Sequence, residues 1–353
     1  MDLTVCQKIE NASSARMETV PDASVQLIVT SPPYPMIEMW DPCFAEQDPA
    51  IAAALKAQRM TQAFSGMHGV LERTWREADR VLSPGGIVCI NIGDAARTCG
   101  GIFQLYPNHA MILSFFQSMG YTVLPDILWR KPSNAPNKFM GSGMYPPGAY
   151  VTYEHEYILI FRKGERRVFK SMPEKRIRRE SAYFWEERNL WFSDLWQLNG
   201  TAQSIKDGNQ KGRERSAAFP FELGFRLVNM FSVKGDTVLD PFAGLGTVLL
   251  ACMASQRSGI GYEIDSAIAE RARQALSSAA PELNRYIDGR IENHLRFLKA
   301  QRESGKDQFY TNLHHGFGVK TRQETELCVE KIASVTEADG GRLRVTYEMP
   351  AIQ

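Results

Sequence analysis

Two short segments carry residues whose types and spacing could do chemistry. The first is VTSPPYPMIEMWD, Val29 to Asp41, where Pro32 and Pro33 cut off the apolar run VQLIVT and Tyr34 follows at once. Proline lacks an N–H and holds φ fixed, so such a corner is rigid, with carbonyls free to accept hydrogen bonds. The second is VLDPFAGLGT, Val238 to Thr247, an apolar strand running into a glycine turn. Gly244 and Gly246 let backbone amides approach a ligand at the carboxyl end of a strand, where open α/β sheets bind ligands. The fingerprint GxGxxG is not met, because Leu249 stands in the place of its third glycine, which argues against a nicotinamide dehydrogenase. A lone G-x-G turn is as often merely a turn. GIGYEID, however, ends the next strand on Glu263, 23 positions beyond Asp240, where an acid can bind both hydroxyls of a ribose. Glu263 could equally serve as a helix-capping acid, a role also open to Asp265. Strand, glycine turn, helix, strand and acid, in that order, favour an adenosine-containing ligand.

The elements that must position these residues follow from hydrophobic periodicity. Apolar β-rich runs alternate with helical patterns, as in a mostly parallel sheet covered by helices. Strands are expected at Leu3–Cys6, Val25–Thr30, Ile87–Ile92, Thr122–Trp129, Glu156–Phe161, Thr237–Asp240 and Gly259–Glu263. Helices are expected at Ala50–Leu82, broken at Gly66 and Gly69, and at Tyr106–Met119, Phe219–Phe231, Thr247–Gln256 and Ser266–Ser278. LSPGG, Leu82 to Gly86, reads as a helix stop and turn. Lys131–Tyr150 is crowded with Pro and Gly and too long for an idle connection, so it is a candidate functional loop. Arg162 to Glu180 holds nine Lys/Arg and three Glu, a local charge of 9 − 3 = +6, and a cluster of aromatics follows. KDGNQKGRERS, Lys206 to Ser216, looks like a hinge, and DGG, Asp339 to Gly341, predicts a β-hairpin appendage near the end.

Bulk properties bound the reading. The 353 residues allow one large or two modest domains, and 44% hydrophobic with 23% charged residues is ordinary for a globular protein. Net charge is +1, so any nucleic-acid role must come from a local patch. Six scattered cysteines without a CxxC pair read as reduced thiols, neither a disulfide frame nor a metal site. No uncharged apolar stretch approaches the length of a membrane span, and Asp2, Lys8 and Glu10 stand where a signal peptide would need an apolar run. A soluble, cytoplasmic protein without a membrane partner is expected.

Taken together, the two segments are recognisable. DPFAGLGT resembles the S-adenosylmethionine motif of DNA amino-methyltransferases, and TSPPY resembles their catalytic motif. The catalytic motif comes first, as in the permuted β group of that family. RVLSPGGIVCINIGD (Arg80 to Asp94), ILWRKPSNAP (Ile127 to Pro136), YEHEYILIFRKG (Tyr153 to Gly164) and AAFPFEL (Ala217 to Leu223) resemble further landmarks. The resemblance spans roughly Leu3 to Leu276. It implies a Rossmann-like class I methyltransferase sheet of seven strands, the last antiparallel, in circularly permuted order with an inserted target-recognition region. Leu3–Cys6 would be its third strand. The implied division is a catalytic half at 1–161, target recognition at 162–216, a cofactor half at 217–305 and the appendage at 306–353.

The resemblance also implies roles. Ser31, Pro32, Pro33 and Tyr34 would be catalytic. Asp240, Pro241, Phe242, Ala243, Gly244, Gly246, Thr247, Glu263 and Phe219 would hold S-adenosyl-L-methionine. Asn11 is carried beside them as an adenine contact, although KIENA departs from the family's glycine–acid pattern. Arg166, Arg167, Lys170, Lys175, Arg176, Arg178 and Arg179 would track the phosphates of double-stranded DNA. Base-reading candidates are Arg176, Arg178, Arg179, Asn199 and Gln203. Substituting Arg178 and Arg179 is therefore expected to weaken DNA binding. A leading serine is associated in the family with N4 methylation of a flipped cytosine, and aspartate with N6 methylation of adenine, which stays the alternative. An RNA or protein-amide methyltransferase and a non-catalytic DNA-binding module are the other readings. A restriction endonuclease is the expected companion, a homodimer is compatible, and no metal is called for.

Overall fold

VQLIVT buries every side chain except that of Gln26, which is the burial of a central strand rather than of an edge. The computed structural model of the chain describes residues 3–131, 140–199, 219–306 and 308–350. Its strands, in chain order, are β1 (Val5–Glu10), β2 (Val25–Thr30), β3 (Leu82–Ile92), β4 (Ala95–Cys99), β5 (Ile102–Tyr106), β6 (Thr122–Arg130), β7 (Met140–Gly141) and β8 (Ala149–Tyr150). They continue as β9 (His155–Arg162), β10 (Leu195–Gln197), β11 (Thr237–Asp240), β12 (Ser258–Tyr262), β13 (Tyr310–Thr311), β14 (Gly318–Val319), β15 (Lys331–Ala338) and β16 (Arg342–Glu348). The helices are α1 (Asp41–Gln47), α2 (Pro49–Lys56), α3 (Met60–Val81), α4 (Asn108–Ser118), α5 (Met172–Glu180), α6 (Trp185–Trp191), α7 (Phe221–Phe231), α8 (Thr247–Ala254), α9 (Ser266–Ser278) and α10 (Ala280–Glu303).

Ten strands form one sheet in the order β10-β6-β9-β3-β2-β11-β12-β1-β16-β15. The stretch from β6 to β1 contains the seven strands expected from the sequence. Within it β9 runs antiparallel to both neighbours, while β3, β2, β11, β12 and β1 are parallel. The sheet is larger than the expected seven because both edges are extended. β10 adds in parallel to β6, and β16 adds antiparallel to β1, with β15 outside it. The hairpin expected as an appendage therefore continues the sheet and closes the edge that β1 would otherwise expose.

Helix α3 runs unbroken through Gly66 and Gly69, where the sequence suggested a break. Each glycine costs about 1 kcal/mol relative to alanine. Ten buried residues between Ala63 and Val81, spaced to form one stripe, outweigh that cost. Gly66 also lets Ile51 of α2 approach: a Cβ there would stand 2.9 Å from its side chain. Helix α10 was not anticipated, because its buried residues, Leu283, Ile287, Ile291, His294 and Leu298, are sparse along a strongly charged sequence.

Crossovers from β11 through α8 and from β2 through α3 lead outward in opposite directions. The crevice between the carboxyl ends of these adjacent strands is the switch point at which open α/β sheets bind ligands. Gly261 on β12 keeps that region tight, since a Cβ there would lie 2.7 Å from Ala243 Cβ in the glycine turn and 2.8 Å from Ile9 Cδ1. Gly261→Ala is expected to lower stability by about 1–3 kcal/mol in urea denaturation. Gly69→Ala, with nothing within 4 Å of the added carbon on an exposed helix face, is expected to raise it by about 0.5–1 kcal/mol. Equal effects of the two substitutions would show that close approach at β12 does not matter.

Candidate active site

A cavity of about 730 Å³ opens at the carboxyl ends of β2 and β11. Its wall contains Ser31, Pro32, Pro33 and Tyr34 together with Asp240, Pro241, Phe242, Ala243, Gly244, Thr247, Phe219 and Glu263. The two segments singled out in the sequence thus share one cavity. They are tied directly: Thr30 Oγ1 donates to Asp240 Oδ1 at 2.6 Å, and Phe242 N–H donates to the same oxygen at 3.1 Å. Burial pushes the Asp240 carboxyl up to about 7. Its two donors and the nearby Glu263 act as smaller influences of opposite sign.

Glu263 closes the glycine turn from the other side. Its Oε2 accepts from Gly244 N at 3.0 Å and its Oε1 from Asp265 N at 2.9 Å. Burial raises its pKa, and these amides work against the rise. Asp265, not Glu263, caps α9, its Oδ1 accepting from Ala267 N and Ile268 N. The capping role is therefore filled, and Glu263 lies on the cavity wall. Two candidates do not line the cavity. Gly246 sits beneath the turn at φ +81°, its N–H donating to Ala243 O, and it shapes the loop. Asn11 spends its Nδ2 on the carbonyls of Glu263 and Ile264, at 2.9 and 3.2 Å, and so braces the loop from behind.

Around Tyr34 the structure assembles polar groups that sequence reasoning passed over. The Tyr34 hydroxyl donates to Glu156 Oε2 at 2.9 Å and accepts from Ser31 Oγ at 3.1 Å and from Asn91 Nδ2 at 2.8 Å. Asn91 Nδ2 also donates to Glu156 Oε2 at 2.7 Å, and Lys131 Nζ pairs with Glu156 Oε1. Lys131 in turn lies over the Trp129 ring, 4.3 Å from its centroid. Burial, and next the Glu156 charge, raise the Tyr34 pKa well above that of free tyrosine, so the phenol stays protonated. A signal was available: Asn91 and Glu156 are polar residues set into the apolar strands IVCINI and HEYILIF.

A family model described as DNA methylase, for N6 and N4 methyltransferases, matches residues 25–274. The type II methyltransferase M.MthZI of Methanothermobacter thermautotrophicus is 49% identical over 317 residues, 89% of this chain and 87% of that protein. M.MjaI of Methanocaldococcus jannaschii, also a type II methyltransferase, is 47% identical over 279 residues, 76% of this chain and 90% of that protein. The chain belongs to the N6/N4 DNA methylase family. Among solved structures, TTHA0409 of Thermus thermophilus, complexed with S-adenosyl-L-methionine, superposes with a TM-score of 0.59 at 29% identity, covering 77% of this methylase and 93% of that chain. The fold is that of class I methyltransferases.

In this methylase the basic run does not reach the cavity. Arg162, at the end of β9, pairs with Ile87 in the middle of β3, five residues before its carboxyl end, and with Thr122 at the start of β6. Glu156, on the cavity wall, is six residues earlier on the same strand, so the run begins about 20 Å away at the opposite end of the sheet. Arg167 pairs with Asp236, just before β11 begins, at 2.7 Å. Arg176 and Arg179 pair with Glu180 and Glu326, and Arg178 lies over Phe169. Arg166, Lys170 and Lys175 are exposed. The run expected to follow phosphates thus starts at the end opposite the mouth, because an antiparallel β9 delivers the chain there, and none of its seven cations is on the cavity wall. Asn199 is different. It follows β10, and Trp129 Nε1 donates to the preceding Leu198 carbonyl at 2.9 Å, which returns the chain to the cavity end. Gln203 lies outside the described residues.

Two outcomes follow. The folded state holds the Asp240 proton more tightly than the unfolded chain, whose carboxyl titrates near 3.8. That stabilising contribution is complete below about pH 4 and is lost as pH rises through 7. Asp240→Asn keeps an oxygen for Thr30 and Phe242 and removes the titration. Between pH 5 and 8 the wild type is expected to lose about 3 kcal/mol more than the variant in urea melts. Parallel pH profiles would refute the buried-proton account. Arg178→Ala with Arg179→Ala, contrary to the expectation from charge alone, should change DNA affinity at moderate salt by less than about twofold, read by fluorescence anisotropy. A large loss would place DNA on the far side of the sheet.

Proposed function

We propose that this methylase transfers the methyl group of S-adenosyl-L-methionine to the exocyclic N4 of a cytosine extruded from duplex DNA, as the modification member of a restriction-modification pair. The observation that carries this reading is the single cavity shared by the SPPY corner and the glycine turn. Its volume lies within the roughly 300–1,000 Å³ usual for ligand pockets. Gly244, at φ +51° with nothing within 4 Å of a would-be Cβ, leaves open space above the turn. Glu263, on the same wall, offers a carboxylate that the ribose hydroxyls can bond, and Phe219 and Phe242 offer apolar wall. When bound, S-adenosylmethionine supplies an electrophilic methyl carried on a sulfonium.

The work of this chain's residues is orientation. A cytosine amine is a poor nucleophile because its lone pair is delocalised into the ring. The Ser31 hydroxyl and Pro32 carbonyl accept from the two amine hydrogens, which lets the nitrogen pyramidalise. Ser31 can accept there because its own proton is directed to Tyr34. Tyr34 presents a ring on which the base stacks, and Asn91 and Glu156 hold its hydroxyl so that the ring does not rotate away. Fixing the reacting atoms in this way can lower a barrier by about 7–11 kcal/mol. Extrusion is needed because the amine cannot be attacked in line within the stack. Cytosine is favoured over adenine by the neutral serine that leads the motif.

Ser31→Ala is expected to lower single-turnover methylation by about 100-fold while calorimetric binding of S-adenosylmethionine is unchanged. Tyr34→Phe, which keeps the ring, should lose less than Tyr34→Ala. Nucleoside mass spectrometry of treated DNA should give N4-methylcytosine. N6-methyladenine in its place would assign the base to adenine, and full activity of Ser31→Ala would remove serine from the mechanism.

A further inference from the structure

Beyond Ile92 the chain does not pass straight into α4 but first forms the hairpin of β4 and β5. Gly100 and Gly101, at φ +54° and +80°, make the two-residue turn that fits the twist of paired strands. The register pairs Cys99 with Ile102, Arg97 with Gln104 and Ala95 with Tyr106. These six side chains therefore share one face, and Phe103 and Leu105 project from the other. On the first face Arg97 grips Asp41 with both guanidinium nitrogens, at 3.1 and 2.7 Å, and Trp40, Pro42 and Cys43 beside Asp41 line the cavity. On the second face Phe103 stacks on Tyr150 of β8, with centroids 4.5 Å apart and planes 13° apart. The hairpin is thus braced on both sides next to the cavity mouth. At its tip, on the Arg97 face, stands Ile102, 71% exposed.

We propose that this hairpin is a DNA wedge, with Ile102 entering the base stack in the space left by the nucleotide extruded into the cavity. The inference rests on the DNA-methylation reading above and adds the element that keeps the duplex open. DNA must lie over the mouth for a base to enter it, and the basic run at the far end of the sheet cannot act there. Extrusion leaves a gap between neighbouring base pairs, and proteins that open stacked steps do so with apolar side chains of this kind. Ile102, paired with Cys99, stands two residues beyond Arg97, about 7 Å along the strand, and the turn at Gly100 about 10 Å, a reach comparable with the depth of either groove of B-form DNA. Gln104, exposed on the same face, is positioned to meet base edges beside the gap.

The test uses the full chain and a duplex carrying the site that methylome sequencing of expressing cells reveals. Ile102→Ala, at an exposed tip, should leave folding and S-adenosylmethionine binding unchanged. Single-turnover methylation of the fully paired duplex should fall roughly tenfold. With an abasic position opposite the target, where little pairing has to be broken, the loss should shrink to less than about twofold. Ile102→Leu should restore the paired rate. Equal slowing on both duplexes, or none on the paired one, would overturn the wedge while leaving the activity intact. A wild type that puts no methyl group on any DNA would sink the activity and the wedge together.

Discussion

The reacting end of the molecule depends on two parallel strands, β2 and β11, lying side by side. Their backbone pairing is short, Leu27 with Val238 and Ile28 with Leu239. The bond from Thr30 to Asp240, 210 residues apart, extends it to the very ends of both strands. A slip of one residue would turn the SPPY corner and the glycine turn toward different faces of the sheet. The bond lies in a dry environment, where a satisfied polar pair is strong and an unsatisfied one is costly. Register is therefore specified where chemistry needs it most. The same dryness holds the Asp240 proton to near-neutral pH.

The cavity is stiff for a related reason. Tyr34 contacts strands β3 and β9 through Asn91 and Glu156, and Gly93 leaves just enough room for the ring: a Cβ there would stand 3.0 Å from Tyr34 Cε2. Glu156 gathers Tyr34, Asn91 and Lys131, so its charge is compensated inside the network. Three strands thus fix one aromatic ring before any substrate arrives, the kind of support that preorganised catalysis requires.

Much of this was legible in the sequence, and the reasons differ by element. Val25–Thr30, Thr237–Asp240 and Ser266–Ser278 match their expected bounds, because buried strands and a capped amphipathic helix have strong local signals. Both walls of the cavity were marked by proline and glycine, whose backbone effects need no tertiary context. What failed was whatever depends on partners. α3 survives its glycines through packing, and β16 joins the main sheet only because β1, at the other end of the chain, accepts it. Asn91 and Glu156 were invisible as a pair until the antiparallel register of β3 and β9 brought them together.

The basic run is the instructive case. Charge density names a surface but says nothing about which end of a sheet that surface occupies. Direction decides it: β9 is antiparallel to its neighbours, so every residue inserted after Arg162 starts from the end opposite the cavity. The chain must then travel back. It does so along α5 and α6, anchored by Arg179 on Glu326, Phe184 on His294 and Glu187 on Arg290, and returns through β10, parallel to β6. Acids neutralise three of the seven cations at the far end. Contacts of that sort fasten a traversing segment to the body of the protein, and β10 then brings it back as far as Leu198, whose carbonyl meets Trp129 on the cavity wall.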